Sequence, residues 1–104
     1  MKKYKLLVFS NFTPGKEAEY NRWYDEVHIP DVLKVPGFIG ASRYKLSDVT
    51  GEGAKHSYCA IYDVESNEIG ATLAELGAAA SSGQMTMSDA IDLASTEMRA
   101  WEAR

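Results

Sequence analysis

The segment at residues 56–64, with the sequence HSYCAIYDV, limits the fold most strongly, because the strand that it predicts is largely apolar on both faces. Successive side chains of a strand point to opposite faces. One face would carry His56, Tyr58, Ala60, Tyr62 and Val64, and the other Ser57, Cys59, Ile61 and Asp63. A strand buried on both faces lies in the centre of a sheet that is covered on two sides. One set of helices covers one side, so we expect a partner subunit, most simply in a homodimer, to cover the other.

The patterns elsewhere predict the remaining elements. Strands are expected at residues 4–12, 38–46, 56–64 and 95–103. A first helix should begin at about residue 14, with Thr13 as its N-cap and Pro14 at its first position. A second helix should be capped by Ser66 or Asn67 and end at Gly83. The order β-α-β-β-α-β, in a single domain of residues 1–104, is that of the ferredoxin-like α+β fold, a four-stranded antiparallel sheet with helices on one face.

Composition excludes several classes of function. The net charge is -4 and the basic residues are dispersed, which argues against a nucleic-acid partner. No apolar run approaches the length that a membrane span or a signal peptide needs, so we expect a cytoplasmic protein with no membrane partner. The single cysteine, Cys59, excludes an internal disulfide and a thiolate zinc site. The two histidines are far apart and no glycine-rich phosphate loop is present, so we expect neither a metal site nor a cofactor.

The first helix contains the most informative stretch, NRWYDEVHIPDVLKVPGF at residues 21–38. Its aromatic stripe recurs at spacings of three and four and ends at His28: Tyr20, Trp23, Tyr24, Val27 and His28. Asp25 precedes His28 by three residues and Asp31 follows it by three, so either carboxylate is expected to hold one imidazole nitrogen. Pro30 lacks an amide hydrogen, so the helix should kink or restart just beyond His28 and turn the imidazole toward an open place.

The second predicted strand contributes further candidate residues. By strict alternation, Phe38 lies on one face of it, and Arg43 lies on the other. Arg43 would pair with a carboxylate or enolate oxygen of a substrate. From the sheet, the hydroxyl of Tyr44, Tyr58 or Tyr62 would donate a hydrogen bond to a developing enolate.

The run WYDEVHIPDVLKVPGF, followed by Arg43 and Tyr44 in a chain of this length and element order, resembles the dimeric α+β barrel superfamily and, within it, the EthD-like small proteins. The resemblance implies that two ferredoxin-like subunits place their sheets against each other. It also implies a small-molecule pocket between the sheet and the helices of each subunit. The superfamily includes cofactor-free monooxygenases, isomerases, cyclases and haem-degrading enzymes, so the fold narrows the chemistry very little.

The residues and this resemblance together predict a cofactor-independent lyase, isomerase or cyclase that acts on a small hydrophobic, aromatic or carbonyl-bearing molecule. His28 would be the acid/base, Asp31 would orient it, and Tyr24 would donate a hydrogen bond to the substrate. Substrate would be bound by Trp23, Phe38, Arg43 and Tyr62. The alternatives are a cofactor-free monooxygenase, a small-molecule binding protein without turnover, and a His28 that merely caps the kinked helix.

Overall fold

The four strands form one antiparallel sheet. The computed structural model describes residues 1–104, and its strands are β1 (Lys2–Ser10), β2 (Phe38–Lys45), β3 (Tyr58–Ser66) and β4 (Glu97–Glu102). They lie in the order β2-β3-β1-β4, and every neighbouring pair is antiparallel. This is the ferredoxin-like arrangement, so the predicted fold class is confirmed, with β4 at an edge as expected.

Two helical regions connect the strands. The first comprises α1 (Glu17–Trp23), a π-helical segment (Tyr24–His28) and α2 (Ile29–Val32), and the second is α3 (Ile69–Ser81). The core lies between these helices and one face of the sheet, and its largest fully buried side chains are Leu6, Tyr20, Tyr24, Val32, Tyr62 and Val64. No helix combines the length and the apolar character that a membrane crossing requires.

Both predicted N-caps are wrong. The hydroxyl of Thr13 donates to the carbonyl of Asp89 at 2.6 Å instead of capping a helix, and α1 begins only at Glu17. The reason is a tertiary contact with the connector between α3 and β4, because the backbone amide of Thr13 also donates to the carbonyl of Ala90 in that connector. At the second helix, the side chain of Glu68 accepts the capping bond from Gly70. Gly83 follows the end of α3 with φ +85, a left-handed conformation that suits glycine.

A β-bulge corrects the faces predicted for β2. Phe38 pairs with Val64, and Gly40 pairs with the preceding residue of β3, so Ile39 is an extra residue. One extra residue reverses the alternation that follows it. Phe38 and Arg43 therefore share the helix-covered face, whereas strict alternation had separated them. Ile39 is left 63% exposed.

No helix of this chain covers the opposite face of the sheet. Its apolar side chains, which we call the open sheet face, are Leu7, Phe9, Tyr44, Cys59, Ile61 and Trp101. Tyr44 is 55% exposed and Trp101 is 60% exposed. This is the face that the apolar pattern of the third strand assigned to a partner subunit.

Candidate functional site

The helix that carries His28 widens into a π turn at Tyr24–His28. The amide of Ile29 donates to the carbonyl of Tyr24, five residues back instead of four. Pro30 has no amide hydrogen, so the α-helical hydrogen bond at that position cannot form. The helix then continues through α2, which means that the expected irregularity includes His28 instead of following it. Single π turns within helices occur frequently at functional sites.

His28 packs against two aromatic rings. Its imidazole is stacked on Trp23, with ring centroids 4.5 Å apart, and meets Tyr24 edge-on at 5.1 Å. Its Nδ1 atom is buried and has no hydrogen-bond partner. Burial is the main reason that the pKa of His28 is lowered to about 4; the charge of Asp31 opposes this change and the charge of Arg43 adds to it. The imidazole is therefore neutral at pH 7, and it faces packed rings where an open place was expected.

Neither aspartate holds the imidazole, so this part of the predicted site is wrong. Asp25 accepts a hydrogen bond from Arg43 at 2.9 Å. Asp31 accepts one from the backbone amide of Thr86 at 3.1 Å, and its other oxygen lies 3.7 Å from Lys34 Nζ. Between Asp25 and His28 the π turn changes the angular spacing, so these two side chains, three residues apart, no longer lie one above the other. Asp31 therefore links the connector after α3 to the first helix. No hydrogen bond between Asp31 and His28 supports a role for Asp31 in orienting the imidazole.

Arg43 is enclosed by tyrosine rings. Its guanidinium carbon lies 4.3 Å from the centroid of Tyr24 and 5.2 Å from those of Tyr20 and Tyr58. A cation close to the faces of aromatic rings is attracted by their quadrupoles. The Arg43 side chain is only 13% exposed, yet it belongs to β2, which is an edge strand.

The polar edge of Arg43 faces a cleft at the surface. Its Nη2 atom donates to Asn21 Oδ1 at 2.9 Å and its Nη1 atom to Asp25. Asp25 itself is 62% exposed. The cleft has a volume of about 530 Å³ and is lined by Asn21, Asp25, Arg43, Tyr44, Lys45 and Tyr58. Arg43 thus connects the interior of the site with solvent.

Tyr62 and Tyr24 bring two phenol groups into the interior. The hydroxyl of Tyr62 is buried and makes no hydrogen bond of normal geometry, although the phenol of Tyr24 lies beside it. Burial raises the pKa of Tyr62 above its ordinary value, and the neighbouring Tyr24 raises it further. Burial likewise raises the pKa of Tyr24, to about 12. Both phenols are protonated at neutral pH and can donate hydrogen bonds.

Tyr24 is the centre of the assembled site. It contacts Trp23 and His28 directly and stacks under Arg43. Phe38 reaches this group through Tyr62, with ring centroids 6.0 Å apart. Asp31 lies apart from this group in its hydrogen bonding, because its carboxylate bonds to Thr86. None of the five main clefts is lined by His28, Tyr24 or Tyr62, so the interior is closed in this conformation.

The sequence placed Tyr20 in the helical stripe and made Tyr58 a possible hydrogen-bond donor, but it did not predict that both rings pack against Arg43. Tyr20 is one helical turn before Tyr24, and Tyr58 lies on the same strand face as Tyr62, so spacing alone would have placed both beside the predicted residues. Asn21 carries no such signal. No group of three or more His, Cys, Asp or Glu side chains is placed to hold a metal ion.

The family comparison decides where this chain belongs. A family model described as "Domain of unknown function (DUF4286)" matches residues 4–80. The chain belongs to this family. The matched region of this DUF4286 protein extends from β1 into the last turn of α3, and it includes His28, Arg43 and Tyr62. No curated protein matches the sequence.

Three solved structures share the fold of this DUF4286 protein. A Shewanella loihica PV-4 protein described as a "putative monooxygenase" is 16% identical with a TM-score of 0.63, over 100% of this chain and 97% of the other. A dimeric ferredoxin-like protein of unknown function from Jannaschia sp. CCS1 is 16% identical with a TM-score of 0.59, over 97% and 99%. An EthD family protein from Bacillus halodurans C-125 is 12% identical with a TM-score of 0.53, over 100% of both chains. These matches confirm the resemblance to EthD-like, ferredoxin-like proteins as a likeness of fold.

Proposed function

We propose that this DUF4286 protein is a cofactor-independent enzyme that moves a proton on a small hydrophobic, aromatic or carbonyl-bearing molecule, as a lyase, isomerase or cyclase. One observation carries the proposal. The buried side-chain polar atoms without a hydrogen-bond partner are His28 Nδ1 and the Tyr62 hydroxyl, and both belong to one aromatic cluster around Tyr24. A buried polar atom left unpaired costs about 1–3 kcal/mol, so a pair of them in one place favours a ligand that satisfies both.

The roles follow from the protonation states. His28 is neutral, so its unprotonated ring nitrogen accepts a proton from a carbon next to a carbonyl, which leaves an imidazolium and an enolate. Tyr62 donates a hydrogen bond to the enolate oxygen, and Tyr24 assists it. The imidazolium then returns its proton to another carbon of the substrate, which completes an isomerisation without a net gain or loss of protons. Because the pKa of His28 is lowered to about 4, this return is favourable and the first abstraction is the harder step, which depends on stabilisation of the enolate by Tyr62 and Tyr24.

Trp23 and Phe38 would form the walls of the pocket. Trp23 stacks on His28 and is fixed by a hydrogen bond from its indole nitrogen to the carbonyl of Thr86 at 2.7 Å. A rigid ring beside the base would hold a flat substrate against the imidazole.

A cofactor-free monooxygenase is the second candidate, and the fold neighbour described as a "putative monooxygenase" favours it. In that reaction His28 would form the same carbanion, which then reacts directly with oxygen. Consumption of oxygen in step with substrate loss would identify this reaction. Its absence during conversion would leave the proton-transfer enzyme.

We also propose that the protein acts as a homodimer through the open sheet face. Its exposed aromatic side chains at Tyr44 and Trp101 support this proposal, as does the dimeric state in the descriptions of the Jannaschia neighbour and of a Thermobifida fusca neighbour. The face is largely apolar at its centre, as interfaces between sheets are.

The test combines a compound panel with two histidine variants. The wild-type protein, His28→Gln and His56→Gln are incubated with aromatic, lactone and polyketide-like compounds, and products are followed by mass spectrometry. We expect a conversion that His28→Gln loses and that His56→Gln keeps, since His56 bonds to the carbonyl of Ser95 away from the site. Conversion by His28→Gln at the wild-type rate would contradict the proposal. Binding of a compound without any conversion would indicate a small-molecule binding protein.

A further inference from the structure

We infer that the molecule bound at this site carries a carboxylate, and that this carboxylate replaces Asp25 on the guanidinium of Arg43. The inference rests on the proposed pocket and names the class of its ligand. Different parts of the Arg43 side chain are fixed to different degrees.

The faces of the guanidinium and one of its ends are occupied by fixed partners. Tyr24, the closest ring, is almost completely buried. Nη2 is bonded to Asn21, on the same helix as Tyr20. What remains is the end at Nη1, which points into the surface cleft and meets Asp25. A guanidinium offers paired donors in a planar fork that matches a carboxylate.

Asp25 is a weakly held occupant of this position. Its side chain is 62% exposed, so water solvates this carboxylate well even when it leaves the 13% exposed Arg43. An aromatic carboxylate offers the same charge together with an apolar body that can be buried among the rings. Exchange of one carboxylate for another leaves Arg43 paired throughout, which avoids the cost of an unpaired buried charge. A neutral ligand has no such exchange available.

The charge of the cleft favours an anion. Besides Arg43, Lys45 lines it, and the only carboxylate among the lining residues is Asp25. Once Asp25 is released, Arg43 has no opposing charge within the lining, whereas Lys45 stays paired with Glu17 at 4.0 Å. Arg43 is therefore the cation that is left to attract an anionic ligand.

The replacement of Asp25 by the ligand's carboxylate also explains how a ligand could reach an interior that is closed in the unliganded protein. Asp25 belongs to the π turn and Arg43 to β2, so their ion pair fastens the helix to the edge of the sheet. A ligand that displaces Asp25 removes this fastening beside Tyr24, whose ring separates Arg43 from His28. The carboxylate is thus bound at Arg43 while the rest of the molecule gains a route to His28 and Tyr62.

The test compares 2-naphthoate with 2-naphthamide, which have the same ring system and differ in charge, by calorimetric titration. We expect the wild-type protein to bind the acid about tenfold more tightly than the amide. Asp25→Asn should tighten binding of the acid about threefold and leave the amide unchanged, because it removes a competitor. This exposed position tolerates the change, so the result does not depend on the folding of an Arg43 variant.

Two further variants assign the effect to Arg43. Arg43→Gln should abolish the preference for the acid, whereas Lys45→Gln, which removes the other cation of the same cleft, should reduce it less than about threefold. Equal binding of acid and amide, no measurable binding of the acid at millimolar concentration, or weaker acid binding by Asp25→Asn would overturn the inference. An equal loss in Lys45→Gln and Arg43→Gln would also overturn it, since that points to a diffuse potential.

The inference and the proposed chemistry fail separately. Suppose that the acid is preferred in a way that depends on Arg43 and Asp25, but conversion does not depend on His28. The ligand class would then be supported and the proposed chemistry would be rejected. Conversion of a neutral compound that depends on His28, together with equal binding of acid and amide, would do the reverse.

Discussion

Removal of the Tyr62 hydroxyl should make the unliganded protein more stable. The hydroxyl is buried without a hydrogen-bond partner, and Tyr62 is 2% exposed. An unsatisfied buried hydroxyl costs about 1–3 kcal/mol, whereas Phe keeps the ring and its contact with Phe38. We therefore expect Tyr62→Phe to raise the free energy of unfolding by about 1 kcal/mol, which is about 5 °C in Tm for a chain of this size.

Tyr20→Phe is the matched control, and its effect should have the opposite sign. Tyr20 is fully buried, and its hydroxyl lies 2.6 Å from Oγ of Ser10, which is 1% exposed. Removal of this hydroxyl leaves a buried serine without its partner. The free energy of unfolding should then fall by about 1–2 kcal/mol.

The assay is urea unfolding at pH 7, followed by circular dichroism, for the wild-type protein and both variants. The slope of the free energy against urea should stay the same in all three, so that the midpoints report stability alone. A ligand that uses the Tyr62 hydroxyl should stabilise the wild-type protein more than Tyr62→Phe. Loss of stability in Tyr62→Phe equal to that in Tyr20→Phe would show that the hydroxyl has a partner in solution, and the argument for a ligand there would lose its basis.

Three further predictions follow from other parts of the structure. The pKa of His28 is lowered from 6.5 to about 4, so between these pH values the folded state binds fewer protons than the unfolded state, and the free energy of unfolding falls as the pH falls. His28→Gln should remove up to about 3 kcal/mol of this loss, as measured by urea unfolding at pH 7 and pH 4.5. Ile61→Glu on the open sheet face should shift the proposed dimer to monomer in sedimentation velocity, whereas Val49→Glu, at a position 91% exposed, should not. Gly37→Ala should lower the free energy of unfolding by about 2 kcal/mol or more in the same assay, because φ is +96 and a Cβ would lie 2.9 Å from a carbonyl oxygen. Gly53→Ala is the control: φ is +78 but nothing lies within 4 Å of the added Cβ, so the free energy of unfolding should fall by only about 1 kcal/mol.

Each of these has an outcome that contradicts it. Parallel pH profiles for the wild-type protein and His28→Gln would show that the imidazole is not shielded from solvent. A dimer that persists in Ile61→Glu would place the subunit contact elsewhere. Equal losses at the two glycines would show that the neighbouring carbonyl yields without cost.

The order of strands and helices could be predicted because each element carries a local pattern. Residues 56–64 alternate, the stripe that ends at His28 has helical spacing, and Gly83 terminates α3 in the left-handed conformation that the sequence indicated. Such patterns depend on neighbours within a few residues. They fix the type of an element better than its ends, and β1 accordingly begins two residues earlier than predicted, at Lys2.

The face on which Arg43 lies could not be read from alternation, because a single extra residue reverses it. Ile39 fits a strand as well as its neighbours do, so nothing in its own chemistry marks the bulge. A signal was present in Gly40, since a glycine within a strand often accompanies a bulge or a close approach. A Cβ at Gly40 would lie 2.8 Å from Asp63 Oδ2, which is such an approach.

The partners of His28 were beyond local reasoning as well. Asp31 bonds to Thr86, 55 residues away in the sequence, and Asp25 bonds to Arg43 on another element. Both carboxylates satisfy their hydrogen-bonding capacity across the fold, where the choice depends on tertiary packing. The burial of Trp23 and Tyr24 could be predicted, because it follows from the helical stripe itself.

The π turn relates the chemistry of the site to its capacity to open. Pro30 interrupts the regular helical hydrogen bonds next to His28, whose imidazole stacks on Trp23. The same π turn places Asp25 at the surface, where it pairs with Arg43. Movement of this turn breaks its ion pair with β2 and shifts the packed rings around Tyr24, and it leaves the three ladders of the sheet intact. Local opening of one segment costs less than global unfolding. A ligand can therefore enter a pocket that is closed in this structure, and the ion pair that the ligand replaces is one of the contacts that hold it closed.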